Sequence, residues 1–207
     1  MNYILVILTG YLLGCSNMAY YIARIKKADL RSNGSGNLGA SNATLLLGWK
    51  AGILTAVHDI GKAAVAVLLA KGLAPDLTYA GEAAGVACVL GHIFPFYLKF
   101  RGGKGFASYF GMTLALNWKL ALMVAVAIVV VTVVTDYIVC GTVTTIVTVP
   151  VYLGIAHHSL ALAAILCIAT AVIFYKHREN FPRMLNGTEP GLSTAIRGEK
   201  RLDKDGR

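Results

Sequence analysis

The sequence predicts an all-α integral membrane protein. Of its 207 residues, 57% are hydrophobic and only 14% are charged, whereas a soluble domain carries about 25% charged residues. Apolar runs, most of them long enough to cross the hydrocarbon core of a bilayer, alternate with short polar segments. The basic residues concentrate in alternate polar segments, which is typical of a chain that crosses a membrane several times.

The net charge of +9 would favour nucleic-acid binding in a soluble protein. Here the cations lie between and after the apolar runs, so we expect anionic lipid or an anionic substrate as partner and no nucleic acid. The four cysteines, Cys15, Cys88, Cys140 and Cys167, all lie in apolar runs. They indicate neither disulfides nor a metal site, and we expect no metal, no cofactor and no obligate protein partner.

The first three spans are predicted at 4–23, 51–69 and 80–98. Residues 24–31, which follow the first span, contain four cations and one aspartate, so this end is expected in the cytoplasm and the N-terminus outside. The polar, glycine-rich segment 31–50 is then a cytoplasmic loop, and 71–79 is a short outer loop.

The next apolar run, 106–116, covers only about 16 Å as a helix, against a hydrocarbon core of about 30 Å. We therefore expect the glycine-rich segment before it to dip into the bilayer, with protein or water covering its backbone. Three further spans are predicted at 120–135, 138–155 and 160–175, joined by a tight turn at Asp136-Tyr137 and an outer loop at His157-His158.

This count gives seven transmembrane helices with the C-terminus inside, in one domain at 1–190 followed by a basic cytoplasmic tail at 191–207. Of the 19 lysines and arginines, all but Lys62, Lys71 and Lys119 then lie on the cytoplasmic side or at its edge. The orientation therefore agrees with the positive-inside rule.

The second span contains Asp59 and Lys62, which share a helical face and can pair. Ionisable groups within a span are costly and usually mark the bundle interior or a water-filled site. A purely structural ion pair between helices is the alternative.

A first polar cluster combines the glycines 34, 36 and 39 with hydroxyl and amide side chains. Glycine lets backbone approach a ligand closely, and the polar side chains orient it. The spacing matches G-x-G-x-x-G, but no strand precedes it and no βαβ unit follows, which excludes a Rossmann site. Alternatively, Ser35 and Asn42 serve as turn or helix-cap residues.

A second cluster, within residues 91–107, combines glycines 102, 103 and 105 with Lys99, Arg101 and Lys104. Exposed backbone amides beside fixed positive charge bind anions, phosphate above all. A Walker motif is excluded because Lys104 is followed by glycine instead of serine or threonine. The alternative is an ordinary basic loop.

A third cluster follows the last span, with His177 and Asn180 one helical turn apart. His177 could be a general base or a phosphate ligand, or an interfacial histidine that anchors the span. All three clusters face the same predicted side of the membrane, which indicates an active site there.

The motifs Gly34-Ser-Gly-Asn-x-Gly-Ala-Ser-Asn42, Gly91-His-x-Phe-Pro-x-x-x-Lys-Phe-x-Gly-Gly-Lys-Gly105 and His177-Arg-x-Asn180-x-x-Arg183 with Glu189 resemble the three cytoplasmic signatures of the bacterial membrane-bound acyl-phosphate:glycerol-3-phosphate acyltransferases. Asp59-x-x-Lys62 also fits that family, and the resemblance covers nearly the whole chain. The His-x-x-x-x-Asp pattern of acyl-CoA-type glycerolipid acyltransferases is missing from the sequence.

The resemblance implies a seven-helix enzyme of the bacterial plasma membrane whose active site faces the cytoplasm. It would transfer a fatty acyl group from acyl phosphate to the 1-hydroxyl of glycerol 3-phosphate and so make lysophosphatidic acid, the first step of phospholipid synthesis. Because acyl phosphate already has a good leaving group, we expect direct attack without an acyl-enzyme. The sequence leaves open whether His177 or a substrate phosphate accepts the proton.

The resemblance also implies which residues act. Catalytic roles are expected for Ser35, Lys104, His177 and Asn180, and Asp59 with Lys62 is expected as a supporting ion pair. The expected substrate- or phosphate-binding residues are Gly36, Asn37, Gly39, Ala40, Ser41, Asn42, His92, Arg101, Gly102, Gly103, Gly105, Arg178 and Glu189.

Besides a mild departure, Ser41 in place of threonine, three positions depart from the family pattern: Leu45 replaces an arginine, Asp136 replaces a basic residue and Val139 replaces a serine. Losing two cations near a site for two phosphates would weaken glycerol-phosphate binding or change the acceptor. A divergent paralogue with an altered acceptor is therefore one alternative. A transporter of an anionic solute is the other, for which inverted repeats and helices broken at the midplane would be expected.

Overall fold

A computed structural model of the chain describes residues 2–197. All regular structure within them is helical, as predicted; residues 198–207 of the predicted tail lie outside this range. The α-helices are, in chain order, α1 Tyr3–Cys15, α2 Met18–Ile25, α3 Ala40–Leu47, α4 Trp49–Leu73, α5 Ala80–Ile93, α6 Phe106–Leu116, α7 Trp118–Thr135, α8 Ile138–Ala156, α9 Leu160–Lys176, α10 Asn180–Leu185 and α11 Leu192–Arg197.

Five helical segments of the described chain are long and apolar enough to cross a membrane. They are Tyr3–Ile25, which comprises α1 and α2, then Trp49–Leu73, Ala80–Leu98, Trp118–Thr135 and Ile138–Ala156. Phe106–Leu116 and Leu160–Lys176 are apolar but shorter. The predicted all-helical chain with several membrane-length helices is confirmed, whereas the count of seven spans and their orientation stay predictions.

The first span differs from the continuous helix predicted, because it breaks at Ser16 and Asn17. The Asn17 side chain caps α2 by accepting a hydrogen bond of 2.8 Å from Tyr20 N, a position that asparagine favours. Two carbonyls at the break accept hydrogen bonds from side chains: Cys15 O from the Tyr97 hydroxyl at 3.0 Å and Ser16 O from Lys62 Nζ at 2.7 Å. Both carbonyls therefore have a hydrogen-bond donor although the helix is interrupted.

Other differences from the predicted elements have local causes. The segment expected as a loop at 31–50 contains α3, which only Gly48, with a φ of 91°, separates from α4. α5 ends early because Pro95 cannot donate in a helix and restricts the residue before it; a 3₁₀ turn, Phe96–Leu98, follows. Beyond the last apolar helix, where no helix was predicted, α10 and α11 form.

α5 lies at the centre of the bundle: most of the segment Ala80–Leu98, which contains it, is buried, and α5 packs against α1, α4, α6 and α9. The α1–α5 crossing is close because small residues line it. A Cβ atom added to Gly10 or Gly14 would collide with the α5 backbone at Ala84 or Cys88. Small residues permit such close approach of membrane helices. This packing fixes the end of α5 that leads into the second polar cluster.

We expect Gly14→Ala to destabilise the protein by about 1–3 kcal/mol, because the new methyl group overpacks the α1–α5 crossing. A lower thermal midpoint in detergent checks this. Gly61→Ala in α4 is the control, since nothing lies within 4 Å of the added Cβ there, and its midpoint should be unchanged or raised. Equal midpoints for wild type and Gly14→Ala would contradict the packing argument.

Candidate active site

Asn42 organises the loop that carries the first polar cluster. Its side chain is 1% exposed; Oδ1 accepts from Ser35 N at 3.0 Å, and Nδ2 donates to Leu30 O at 2.9 Å and to Asn37 O at 2.8 Å. Both ends of the Asn42 side-chain amide therefore bond to the backbone of the loop, which is the turn-stabilising role that the sequence offered as an alternative to ligand binding. It fixes the loop rather than presenting a free group to a ligand.

The tip of this loop presents polar groups to the surface. Ser35 is exposed, and its Oγ accepts a hydrogen bond of 2.7 Å from Asn37 Nδ2, while Asn37 Oδ1 accepts from Gly39 N at 2.9 Å. Gly34 and Gly36 adopt φ values of 61° and 66°, which favour glycine. α3 begins directly after Gly39, so Ala40 and Ser41 contribute amides of a helix N-terminus.

The glycine loop of the second cluster folds back on the end of α5. Gly102 N donates to Ile93 O at 3.0 Å and Gly103 N to His92 O at 3.2 Å. Neither glycine has room for a Cβ atom: Gly102 lies against the His92 carbonyl and Gly103 against the His92 ring. The Gly102 and Gly103 amides, which were expected to face a ligand, are therefore used to hold the loop.

The free amides of this loop lie one step further along the chain. Lys104 N and Gly105 N have no hydrogen-bond acceptor within residues 2–197. Gly105, with a φ of 95°, is the N-cap of α6, whose first amides also lack intrahelical acceptors. These amides are consecutive in the chain and belong to or directly follow Lys104, whose ammonium adds a positive charge, and such a combination is suited to an anion.

Lys104 joins the second cluster to the third. Its Nζ donates to Asn180 Oδ1 at 2.6 Å, Asn180 Nδ2 donates to Glu189 Oε1 at 2.5 Å, and Glu189 Oε2 accepts from Arg183 Nε at 2.7 Å. Burial lowers the pKa of Lys104, and the nearby Arg183 adds repulsion. The direct partner of the Lys104 ammonium is thus a neutral amide, and Glu189 is shared with Arg183.

His177 lies just past the end of α9 and is 7% exposed. Its Nδ1 lies 2.8 Å from Ile173 O; since a carbonyl can only accept, this geometry assigns the proton to Nδ1 and a lone pair to Nε2. Burial lowers the pKa of His177 to about 4, with a contribution from the Lys104 charge. At neutral pH His177 is therefore a neutral hydrogen-bond acceptor at Nε2.

The first and second clusters are also connected. Leu38 N donates to Gly102 O at 3.4 Å, and Asn17 Nδ2 donates to Leu38 O at 3.1 Å. Arg31 donates to Leu98 O at 3.3 Å. Together with the Lys104–Asn180 bond, these contacts bring all three clusters to one end of the bundle.

Some predicted site residues do not join this set directly. His92 is 3% exposed beneath the glycine loop, with Nδ1 2.9 Å from Lys62 Nζ, and Lys62 pairs with Asp59 at 2.8 Å. The Arg178 guanidinium lies 4.0 Å from the centre of the Tyr175 ring. Arg101 is exposed on the surface.

Two residues of this region were not predicted from the sequence. Asn17 supports Leu38, and the only signal for it was a polar Ser16-Asn17 pair inside an apolar run. Lys176 is half-buried, with Nζ 5.5 Å from the centre of the Phe94 ring, and its charge acts on Lys104. Its position at the end of an apolar helix resembles an ordinary interfacial lysine.

The three positions that depart from the family pattern lie in different surroundings. Leu45 is 62% exposed and its side chain lies beside Gly34. Val139 is buried at 2% exposure. The Asp136 carboxylate accepts hydrogen bonds of 2.7 Å from both Ser193 N and Ser193 Oγ. Of the three, Leu45 is the one that contacts the first cluster.

Residues 4–187 match a family model described as glycerol-3-phosphate acyltransferase. The chain is 37% identical over 193 residues to a protein named glycerol-3-phosphate acyltransferase from Clostridioides difficile (strain 630), covering 91% of this chain and 94% of the relative. It is 38% identical over 193 residues to a protein of the same name from Coxiella burnetii (strain CbuG_Q212), covering 91% of this chain and 97% of the relative.

The fold is similar to two crystal structures of PlsY (YgiH), described as an integral membrane glycerol 3-phosphate acyltransferase. The glycerol 3-phosphate form has a TM-score of 0.86 at 31% identity, covering 94% of this chain and 97% of that chain. The lysophosphatidic acid form has a TM-score of 0.83 at 30% identity, covering 93% and 96%.

We expect the His177 ring to titrate near pH 4, below the ordinary value of 6.5, because burial disfavours the imidazolium form. NMR of protein with ¹⁵N-labelled histidine measures this, and the resonance lost in His177→Gln identifies the ring. The same ring in denatured protein is the control and should titrate near its ordinary value. A midpoint of about 6 or above in the folded protein would contradict a buried, neutral His177.

Proposed function

The chain belongs to the glycerol-3-phosphate acyltransferase family, and on that premise we propose that it transfers a fatty acyl group from acyl phosphate to the 1-hydroxyl of glycerol 3-phosphate, giving lysophosphatidic acid and phosphate. The observation that carries the proposal is the 2.6 Å hydrogen bond from Lys104 Nζ to Asn180 Oδ1. It sets a cation with a neutral partner between the free amides of the glycine loop and the third cluster, an arrangement suited to phosphorylated substrates.

The donor is assigned to the Lys104 side of the site. The Lys104 ammonium and the free amides of Lys104 and Gly105 would hold the phosphate of acyl phosphate. As the carbon–oxygen bond to that phosphate breaks, negative charge grows on the leaving group. Preorganised donors of this kind stabilise such charge without having to reorganise during the reaction.

The acceptor is assigned to the space between the first and third clusters. Ser35 would orient a phosphate or the attacking hydroxyl, and Asn180 and His177 would position glycerol 3-phosphate. The His177 Nε2 lone pair supports this role, because its orientation is fixed by the bond from Nδ1 to Ile173 O. A neutral imidazole there accepts a hydrogen bond from a glycerol hydroxyl.

The reaction is then a direct transfer of the acyl group from the phosphate oxygen to the glycerol hydroxyl oxygen. The hydroxyl oxygen attacks the acyl carbonyl carbon, the new ester bond forms, and the electron pair of the broken bond leaves with the phosphate. A pKa of about 4 makes His177 a weaker base than a phosphate monoester, whose second pKa is about 6. We therefore assign the hydroxyl proton to a phosphate oxygen of the substrates, and no acyl-enzyme is required.

We also propose that the chain crosses a bacterial plasma membrane seven times, with the N-terminus outside and the site at the cytoplasmic face. The shorter apolar helices, Phe106–Leu116 and Leu160–Lys176, would complete the five longer spans. The concentration of cations at the ends near the site supports this orientation. A cysteine introduced at position 27 should react with a membrane-impermeant reagent only after the cells are opened. Labelling of this cysteine in intact cells would contradict the proposed orientation.

Purified protein in detergent should convert palmitoyl phosphate and glycerol 3-phosphate to lysophosphatidic acid and phosphate in equal amounts. Lys104→Met, which keeps the length of the side chain but removes the cation, should lower kcat by about 100-fold or more. Lys119→Met, an exposed lysine at the start of α7, is the control and should retain the wild-type rate.

Ser35→Ala should also slow transfer while the protein stays folded. Lack of turnover by the wild type, together with movement of an anion across liposomes containing it, would reject the enzyme and favour the transporter. Turnover with a different phosphorylated acceptor only would favour the divergent paralogue.

Leu45→Arg should lower the KM for glycerol 3-phosphate, because position 45 lies beside Gly34 and a guanidinium there could reach a phosphate bound at the first cluster. A charge-assisted hydrogen bond is worth about 1.5–3 kcal/mol, which corresponds to about 10- to 100-fold. Leu46→Arg, the next residue of the helix, is the control. Equal KM values for wild type and Leu45→Arg would remove position 45 from acceptor binding.

A further inference from the structure

We propose that Lys62 is a positioning residue that couples the two glycine-containing loops of the site, an inference that rests on the function proposed above. Lys62 lies in α4 and is 8% exposed. Its Nζ is 2.8 Å from Asp59 Oδ1, 2.7 Å from Ser16 O and 2.9 Å from His92 Nδ1. These three acceptors match the three donors of an ammonium group and belong to three different parts of the fold.

One branch runs from Lys62 to the first cluster through the break in the first span. Because the helix is broken here, Ser16 O has no helical N–H donor, and Lys62 Nζ donates a hydrogen bond to it instead. The next residue, Asn17, is 1% exposed and donates 3.1 Å to Leu38 O, and Leu38 N in turn donates to Gly102 O at 3.4 Å. The position of the 34–39 loop therefore depends on the geometry that Lys62 maintains at Ser16.

The other branch runs through His92 to the second cluster. Because an ammonium group only donates, His92 Nδ1 is the acceptor of this bond. The same nitrogen also lies 3.3 Å from Asp59 Oδ1, so the ring rests against both members of the Asp59–Lys62 pair. The opposite edge of the ring packs on Gly103, which has no room for a side chain, and His92 O accepts from Gly103 N at 3.2 Å. Lys62 thus fixes the ring that supports the glycine loop from below.

Both branches end at Gly102 and Gly103, next to Lys104. A change at Lys62 should therefore displace both loops together, although Lys62 itself is not placed in contact with substrate. The Asp59 carboxylate compensates the buried ammonium, which would otherwise be very costly in an apolar bundle, and it lies 3.3 Å from His92 Nδ1. Asparagine at position 59 keeps an oxygen that can face the His92 ring, so the double variant removes the Lys62 contacts and both charges. A pair that was only structural would be replaceable by neutral residues without kinetic effect.

Lys62→Met alone would leave the Asp59 carboxylate buried without its partner and is expected to destabilise the protein. The double variant Asp59→Asn/Lys62→Met removes both charges at nearly constant volume, so its thermal midpoint should stay close to that of the wild type. Its kcat for acyl transfer should nevertheless fall by about 10-fold or more, since small misplacements of catalytic groups are costly.

Hydrogen exchange followed by mass spectrometry reads out the coupling without any substrate. In the double variant, exchange should accelerate in both 34–39 and 101–105. Lys71→Met, an exposed lysine of the same helix, should change neither kinetics nor exchange. His92→Phe keeps a ring but loses the Nδ1 acceptor, so it should accelerate exchange in 101–105 more than in 34–39, which keeps its bond from Asn17 to Leu38 O.

A stable double variant with wild-type kinetics and wild-type exchange would overturn the proposal, as would faster exchange in only one of the two loops. If the double variant does not fold, His92→Phe decides: unchanged exchange in 101–105 overturns the branch through His92. A wild-type protein without turnover would reject the proposed function instead, and the exchange experiment would still test the coupling.

Discussion

Irregular backbone inside a membrane bundle needs protein partners for its amides and carbonyls, because hydrocarbon offers none. Two interruptions of helical structure, at residues 16–17 and between α5 and α6, lie against each other near the site. The two interruptions satisfy each other: the Tyr11 hydroxyl donates 2.7 Å to Phe94 O, and the Tyr97 hydroxyl donates 3.0 Å to Cys15 O. The broken first helix and the glycine loop therefore form one unit, on which the placement of Lys104 depends.

The charges of the site follow from this arrangement. The Glu189 carboxylate pairs with Arg183 and accepts from Asn180, so Lys104 contacts the amide and not the acid. A direct carboxylate partner would neutralise the lysine and compete with a phosphate for it. With a neutral partner the ammonium is oriented and still keeps its attraction for an anion, which is what phosphate binding requires.

Hydropathy and charge were sufficient to predict the helical membrane fold and most helix ends to within a few residues. They could not predict the break at Asn17, because the apolar run continues on both sides and the contacts that stabilise the break come from Lys62 and Tyr97. Chemistry also marked Lys104 and Asn180 as candidates, and the structure joins their side chains by a hydrogen bond of 2.6 Å. The engagement of Asn42 with Leu30 O, and of His92 with Lys62, depends on tertiary contacts that no local pattern encodes.

The departures from the family pattern bear on the acceptor through one position. Asp136 is engaged by Ser193 and Val139 is buried, whereas Leu45 lies exposed beside the first cluster. The Lys104 ammonium donates a hydrogen bond to Asn180 of the third cluster. Under the proposed function, one phosphate is therefore held by Lys104, and the other depends on the neutral hydroxyl and amide donors around Ser35. Neutral donors hold a phosphate less tightly than a guanidinium does, so affinity for the acceptor should be the property that an arginine at position 45 changes most.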